Sequence, residues 1–342
     1  MSKTLITTGL LLCAMGCGGA SETEPAAATE PAASAGDETA AAPAAAEAAA
    51  PAGNSSAIGK AILASFEAFN AGDLDGSLAP ASFELELSYI GGETAKGKGH
   101  VRKLWEGQRK GFSNLKRNVR RVIHTAETVV VEAVVTGTHD GEFKGHAATK
   151  KTIGYDSLMI FHSSGSEVTR ITVYEDEVAL MRQLGVEDGE APPKSGAPIG
   201  APEMIEGDGD RTLVNFIKAW YAAIGPNWNS ECEKTYCTAD VAFYSMADGA
   251  SMVKQMDRAR YLDLLVEGAK DLQVADVWVE PAGKYFVTFT TWKRIRPSVS
   301  LGLEASSKLI DLSIAQVILL EDGKMKEVST YFNRRQAQAQ LK

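Results

Sequence analysis

The sequence predicts an α+β fold built twice in tandem, each copy a curled, mainly antiparallel sheet packed against N-terminal helices to make a cone-shaped domain. Three observations predict it. Apolar residues at helical spacing open each half, with Ile58, Ile62, Phe66 and Phe69 in the first and Leu213, Phe216, Ile217 and Trp220 in the second. A run of β-type segments with short connections follows each, and such neighbours pair mainly antiparallel. A shift of 157 positions then lays Val130, Gly145, Ala148, Lys151, Ile153, Tyr174, Gln183 and Leu184 on Val287, Gly302, Ala305, Lys308, Ile310, Tyr331, Gln340 and Leu341 without a gap. An element order that recurs once over half a chain is a domain duplication and not a solenoid.

The 342 residues divide by composition. Residues 1–17 read as an export signal: Lys3, an apolar run over 5–15 too short to span a bilayer, and a small-residue processing site at Ala14-Met15-Gly16-Cys17. Cys17 resembles the lipidated cysteine of bacterial lipoproteins, which places the protein in the cell envelope, anchored by lipid to the outer membrane or the periplasmic face of a membrane. Residues 18–56 hold almost only Ala, Pro, Glu, Thr, Gly and Ser, offer nothing large to bury, and are expected as a disordered tether. The first domain is expected over 57–186, a Pro/Gly/Ala-rich linker over 187–208 and the second domain over 209–342.

Within the first domain a helix is expected from Ala57 until Asn70-Ala71-Gly72-Asp73 stops it. A strand over 84–90, a turn at Gly91-Gly92 and a helix over 100–112 follow. Strands over 115–125, 129–138, 152–162 and 168–175 make the sheet, and a short helix entered through Asp176 closes the domain. Such a sheet curls, and helices on its concave side leave a tapered cavity. Lys116-Arg117 and Arg120-Arg121 are read as a solvated outer face. The second domain repeats the order: a helix over 212–224, strands over 242–244, 275–279, 285–293, 309–320 and 326–332, and a helix over 258–267 between the first two strands.

The 35 basic against 44 acidic residues leave a net charge of -9, which repels a phosphate backbone and excludes nucleic acid as an expected partner. Of four cysteines, Cys13 and Cys17 belong to the leader. Cys232 and Cys237 in CEKTYC are expected to pair in an oxidising compartment, closing a short loop worth about 2 kcal/mol. No metal site is expected, since two further zinc ligands at sensible spacing are missing.

The turn Gly137-Thr138-His139-Asp140-Gly141-Glu142-Phe143-Lys144-Gly145, then Thr149, then Asp176 with Leu180 and Gln183-Leu184-Gly185, resembles the SnoaL-like polyketide cyclase (ester cyclase) family of the nuclear-transport-factor-2-like superfamily. The resemblance covers roughly residues 57–186. It implies cofactor-free acid/base isomerisation or ring closure, with Asp176 moving the proton and His139 and Tyr174 as polar groups of the pocket. Arg170 and Thr172 stand where many members carry glutamate and tryptophan, so the pocket is reshaped near that aspartate.

Strand alternation puts Val168, Arg170, Thr172 and Tyr174 on one side, and Asp176 continues that parity at the start of the last helix. Asp176 therefore reads either as an acid/base opening into the cavity or as a helix N-cap. His139 reads as a pocket group or as a turn residue bonding a neighbouring carbonyl. His162 either enters the pocket from the sheet or faces solvent. Trp105, Tyr89 and Tyr155 are core or cavity lining. Tyr174, Thr172, Trp105, Tyr89, Tyr155 and His162 are thus the candidate contacts of a small, largely apolar ligand. In the second domain Asn333 falls on Asp176 and Arg296 on His139, so that copy is expected to be inactive and fit for binding, scaffolding, or pairing within the chain or between copies.

Overall fold

The structure, a computed structural model, describes residues 55–224, 230–248, 271–297 and 302–342. The signal peptide, Cys17, nearly all of the tether and the helix expected over 258–267 lie outside the described residues. Among those described, the first half runs α1 (Ser55–Ala71), α2 (Leu74–Ser77), β1 (Ala81–Tyr89), β2 (Thr94–Lys96), α3 (Lys98–Gly111), β3 (Lys116–His124), β4 (Thr128–Thr138), β5 (Thr152–Ser164), β6 (Glu167–Glu175) and α4 (Glu177–Leu184). After β7 (Glu203–Ile205) the second half holds α5 (Val214–Ala223), α6 (Ser230–Tyr236), β8 (Cys237–Ser245), β9 (Gln273–Ala282), β10 (Tyr285–Ile295), β11 (Ile310–Glu321), β12 (Lys324–Tyr331) and α7 (Arg334–Leu341).

The fold is α+β, with two open sheets each faced by helices. One sheet has strand order β2-β1-β6-β5-β4-β3-β7 and the other β8-β12-β11-β10-β9. Removing the edge strands β2 and β7 leaves the same order in both. The 157-residue shift also carries over the register: Val130 faces Ile160 across β4 and β5, as Val287 faces Val317 across β10 and β11. Leu158 faces Tyr174 as Ala315 faces Tyr331.

Alternation along each strand sorts side chains between two cores. In the first half Val129, Val131, Ala133, Val135, Ile153, Tyr155, Met159, Phe161, Ile171 and Val173 pack with Ile62, Phe66 and Phe69 of α1 and Trp105 of α3. Their strand neighbours Val130, Leu158, Ile160 and Tyr174 point the other way and join Tyr285, Val287, Ala315, Val317 and Tyr331 of the second sheet. Val130, Leu158, Ile160 and Tyr174 fall on Val287, Ala315, Val317 and Tyr331 under the 157-residue shift, so equivalent faces of the two sheets share this core. Tyr174 stacks on Phe289 at 6.3 Å between ring centroids. Polar groups are buried here too: Glu132 accepts from Arg121 Nη1 at 2.6 Å and from the Tyr331 hydroxyl at 2.6 Å.

The segment 187–208 packs along the first sheet on its way to the second half, and two expectations are corrected. Ser195 N donates to the Gly154 carbonyl at 2.9 Å, and β7 adds in parallel to the edge of the first sheet with Arg121 opposite Glu203. Gly154 is what permits that approach, because a Cβ there would lie 2.3 Å from the Ser195 carbonyl oxygen. Arg117 and Arg121 are buried, not solvated. A register shift between Val119 and Arg121 helps send them to opposite faces, Arg117 over the Phe69 ring at 4.1 Å and Arg121 over Tyr285 at 4.5 Å. The disulfide between Cys232 and Cys237 is not formed; both are buried thiols of the second core. Cys232 lies in α6 and Cys237 opens β8: four helical steps rise about 6 Å to Tyr236, and the next step carries the chain out into the strand, so the two thiols leave different elements.

Candidate functional site

A cavity of about 520 Å³ opens in the first half between α3, the β4–β5 loop, β5, β6 and α4. Its apolar wall comes from Leu104, Phe112, Leu115, Phe143, Ile153 and Leu180. These positions follow from the elements: Leu104 lies on α3, Ile153 is on the core face of β5, and Leu180 is on the inner face of α4.

The polar groups converge from three strands. Glu175, the last residue of β6, lines the cavity. Its Oε1 accepts from Ser157 Oγ at 2.8 Å and its Oε2 from the Tyr155 hydroxyl at 3.4 Å. Burial raises its pKa, with the nearby Arg117 charge pulling the other way. Tyr89, at the end of β1, brings its hydroxyl oxygen to Gln108 Nε2 at 3.1 Å and Arg117 Nη2 at 3.3 Å, and accepts from both. Arg117 Nη2 also donates to Gln108 Oε1 at 3.0 Å. At the rim Lys144 pairs with Glu177 at 2.8 Å and Glu93 at 3.7 Å, tying the β4–β5 loop to α4 and to the turn after β1.

Of the residues singled out from the sequence, Tyr89 and Tyr155 line this cavity. Asp176 borders it, but its carboxylate is committed elsewhere. Oδ2 accepts from Ala179 N at 3.2 Å, capping α4, and from Arg334 Nε at 2.7 Å; Oδ1 accepts from Arg334 N at 2.9 Å. Asp176 thus meets both settings the sequence allowed: it lines the cavity, and its carboxylate caps α4 within a buried ion pair. Burial raises its pKa while Arg334 and the backbone amides oppose the rise.

The others lie apart. His139 is buried behind the cavity wall, its ring tilted against Phe112 at 5.1 Å between centroids, with Nδ1 accepting from Thr149 N at 3.2 Å. The ring is therefore held within the turn, though by the Thr149 N–H and not by the carbonyl expected, and burial lowers its pKa. The turn itself is a docking device. Asp140 N and Gly141 N each donate to the Gly111 carbonyl at 3.1 Å, and a Cβ on Gly141 would lie 1.9 Å from the Lys110 carbonyl oxygen. Trp105 borders a much smaller hollow of about 30 Å³ beneath Arg117. Tyr174, Thr172 and His162 are corrected as ligand contacts. Tyr174 packs in the core between the sheets, and Thr172 and His162 share its parity on their strands.

Glu175 escaped the sequence reading because of a strand irregularity. Between β5 and β6 the register shifts at His162 and Ser163, opposite Arg170 and Val168. Val168 therefore sits in the same core as Ile171 and Val173, and the parity carried forward from it to Tyr174 and Asp176 selects the wrong face. Arg117 was passed over as a surface charge, although its aromatic neighbours Phe69 and Trp105 are positioned to receive it.

Residues 61–184 match the family model described as SnoaL-like polyketide cyclase. The segment takes in every strand, helix and loop that frames the cavity, with Asn333 of the second half adding one lining residue. Among solved structures, a SnoaL-like protein of Jannaschia sp. CCS1 shares 18% identity over 42% of this chain and 100% of its own, with a TM-score of 0.37. AclR of Streptomyces galilaeus shares 23% over 38% of this chain and 97% of its own (TM-score 0.35), and IdmH of Streptomyces antibioticus 21% over 38% and 99% (TM-score 0.35). No curated protein matches the chain.

Proposed function

We propose that the SnoaL-like half of this chain holds a small, largely apolar molecule in the cavity beside Glu175. One observation carries the reading: an open cavity of about 520 Å³ has an apolar wall of Leu104, Phe112, Leu115, Phe143, Ile153 and Leu180, on which Glu175, Tyr155 and Tyr89 converge, with charged side chains such as Lys103, Lys110 and Lys144 also in its lining. That combination of volume, apolar wall and convergent polar groups is the usual make-up of a small-molecule site. Native mass spectrometry of the full-length protein purified from its own cells tests it. A retained organic molecule that is lost in Leu104→Glu supports the reading; a protein of bare polypeptide mass that also fails to bind any neutral apolar dye sinks it.

A second reading is favoured for the C-terminal half, as a fixed structural partner of the first. Its support is Arg334, which reaches Asp176 in the first half, and Asn333, whose Oδ1 accepts from Glu177 N at 3.2 Å. The sequence adds a proposal about place: lipid on Cys17 would hold this body at a membrane surface of the cell envelope. Labelling with an alkynyl fatty acid, present in the native chain and absent in Cys17→Ser, tests that; equal labelling of both removes it.

A further inference from the structure

We propose that Tyr89 sets the length of molecule the cavity accepts: its ring closes off an apolar continuation of the same furrow, so the site takes compact molecules and turns away extended alkyl or acyl chains. The inference rests on the cavity being a small-molecule site and adds a limit on the class of molecule it holds.

Of the described residues, Tyr89 alone lines both the cavity of about 520 Å³ and the hollow of about 30 Å³. The two spaces follow one another along the same sheet face. On β1 Leu87 lines the hollow and Tyr89 stands at its boundary with the cavity; on β6 Val173 lines the hollow and Glu175 the cavity; on β5 Met159 lines the hollow and Tyr155 the cavity. Inward positions on a strand recur every two residues, about 7 Å, so the wall of the hollow starts one or two such steps past that of the cavity. Apart from Arg117, the hollow presents no polar need to an occupant. Ser65 and Ser77, which line it, already donate to the Ile62 and Leu74 carbonyls at 2.7 and 2.8 Å. Beside them stand Phe66, Phe69, Leu87 and Phe161.

The partition is held from both sides. Gln108 Nε2 and Arg117 Nη2 donate to the Tyr89 hydroxyl oxygen. Arg117 is itself fixed: its guanidinium lies over Phe69 and Trp105, and the Asn70 side chain bonds its backbone N–H and carbonyl at 2.7 and 3.0 Å. The Tyr89 backbone is clipped too, its N–H donating to the Glu93 carbonyl and its carbonyl accepting from Gly92 N, each at 2.9 Å. A ring tied at its hydroxyl and its backbone does not swing aside for a ligand's tail. A chain that reaches Tyr89 therefore leaves its further carbons in water, and each methylene left there forgoes about fourfold in affinity.

The test uses the full-length protein and straight-chain primary alcohols from butanol to dodecanol, competing with the neutral dye N-phenyl-1-naphthylamine. In the native chain affinity is expected to rise about fourfold per methylene and then level off. In Tyr89→Ala the levelling is expected about two methylenes later, so that the longest alcohols bind about 15-fold tighter than to the native chain. Tyr89→Leu is expected to move the limit the same way. Tyr89→Phe, which keeps the ring, and Leu180→Ala, which widens the outer wall without reaching the hollow, are expected to keep the native limit. Four results each overturn the inference and leave the binding cavity standing: a native chain that binds the dye and shows no levelling, the native limit in Tyr89→Ala or Tyr89→Leu, an equal shift in Leu180→Ala, or loss of dye binding in both Tyr89→Ala and Tyr89→Leu, which would make the ring a support of the wall. A native chain that does not bind the dye overturns both.

Discussion

Asp176 and Arg334 form a buried ion pair at 2.7 Å, the acid at the head of the last helix of the first half and the base at the head of the last helix of the second. The relationship is reciprocal. Asp176 takes the backbone N–H of Arg334, and Asn333 takes the backbone N–H of Glu177; these two bonds are equivalent under the 157-residue shift. Each cap residue therefore closes its own helix and the start of its counterpart.

Removing one partner of such a pair strands the other charge away from water. Arg334→Met is expected to destabilise the chain by about 3–5 kcal/mol in urea denaturation, and Asp176→Asn with Arg334→Met together to recover most of the loss. A double variant no more stable than Arg334→Met alone would show that the pair is not what the position depends on.

Asn333 is more than an acid that has lost its proton chemistry. Its Nδ2 donates to the Ile90 carbonyl at 2.7 Å while Oδ1 receives Arg335 N at 2.9 Å and Glu177 N. An aspartate cannot make the first bond and would set two oxygens against each other. Asn333→Asp is thus expected to cost about 1–3 kcal/mol, measured by thermal melting at neutral pH; a melting temperature equal to the native one would refute the assignment.

Glu175 gives a signed pH dependence. Burial raises its pKa in the folded chain, so its protonated form is favoured there relative to the unfolded chain. Its contribution is complete below the ordinary carboxylate pKa and is lost as pH climbs through the raised value. The melting temperature of Glu175→Gln minus that of the native chain should therefore increase with pH across that window. A difference that is constant from mildly acidic to neutral pH contradicts it.

His162 has the opposite sign. Burial, helped by Arg170 across the ladder, lowers its pKa to about 4. The neutral ring is favoured in the fold, so this stabilisation is whole above the ordinary histidine pKa and disappears as pH falls through about 4. A proton NMR titration should place the His162 ring midpoint well below those of exposed histidines; a midpoint near 6.5 would show the ring to be solvated.

Element order was legible because helical and strand periods differ, and the gapless self-alignment carried the strand pairing with it: the Val130–Ile160 and Val287–Val317 registers are the same register read twice. Which face of the first sheet holds the cavity was not legible. A sheet covered on both sides has apolar residues at odd and even positions alike, as Val173 and Tyr174 show by entering different cores. Polarity along β6 therefore carries no label for the inner side, and a local register shift breaks the count. The loop residues Phe143 and Lys144 reach the cavity only through the tertiary placement of the turn around Gly141, which no local pattern encodes.

The exchange of caps also sets how this gene can change. A transcript cut after residue 186 would yield a first half whose closing helix begins at an acid stripped of its cation, above an apolar sheet face with nothing laid against it. Position 176 cannot drift without an answering change at 334, nor position 333 without regard to Ile90 and Glu177. The two halves are thereby bound to vary together, and the half that carries the cavity is held in shape by the half that does not.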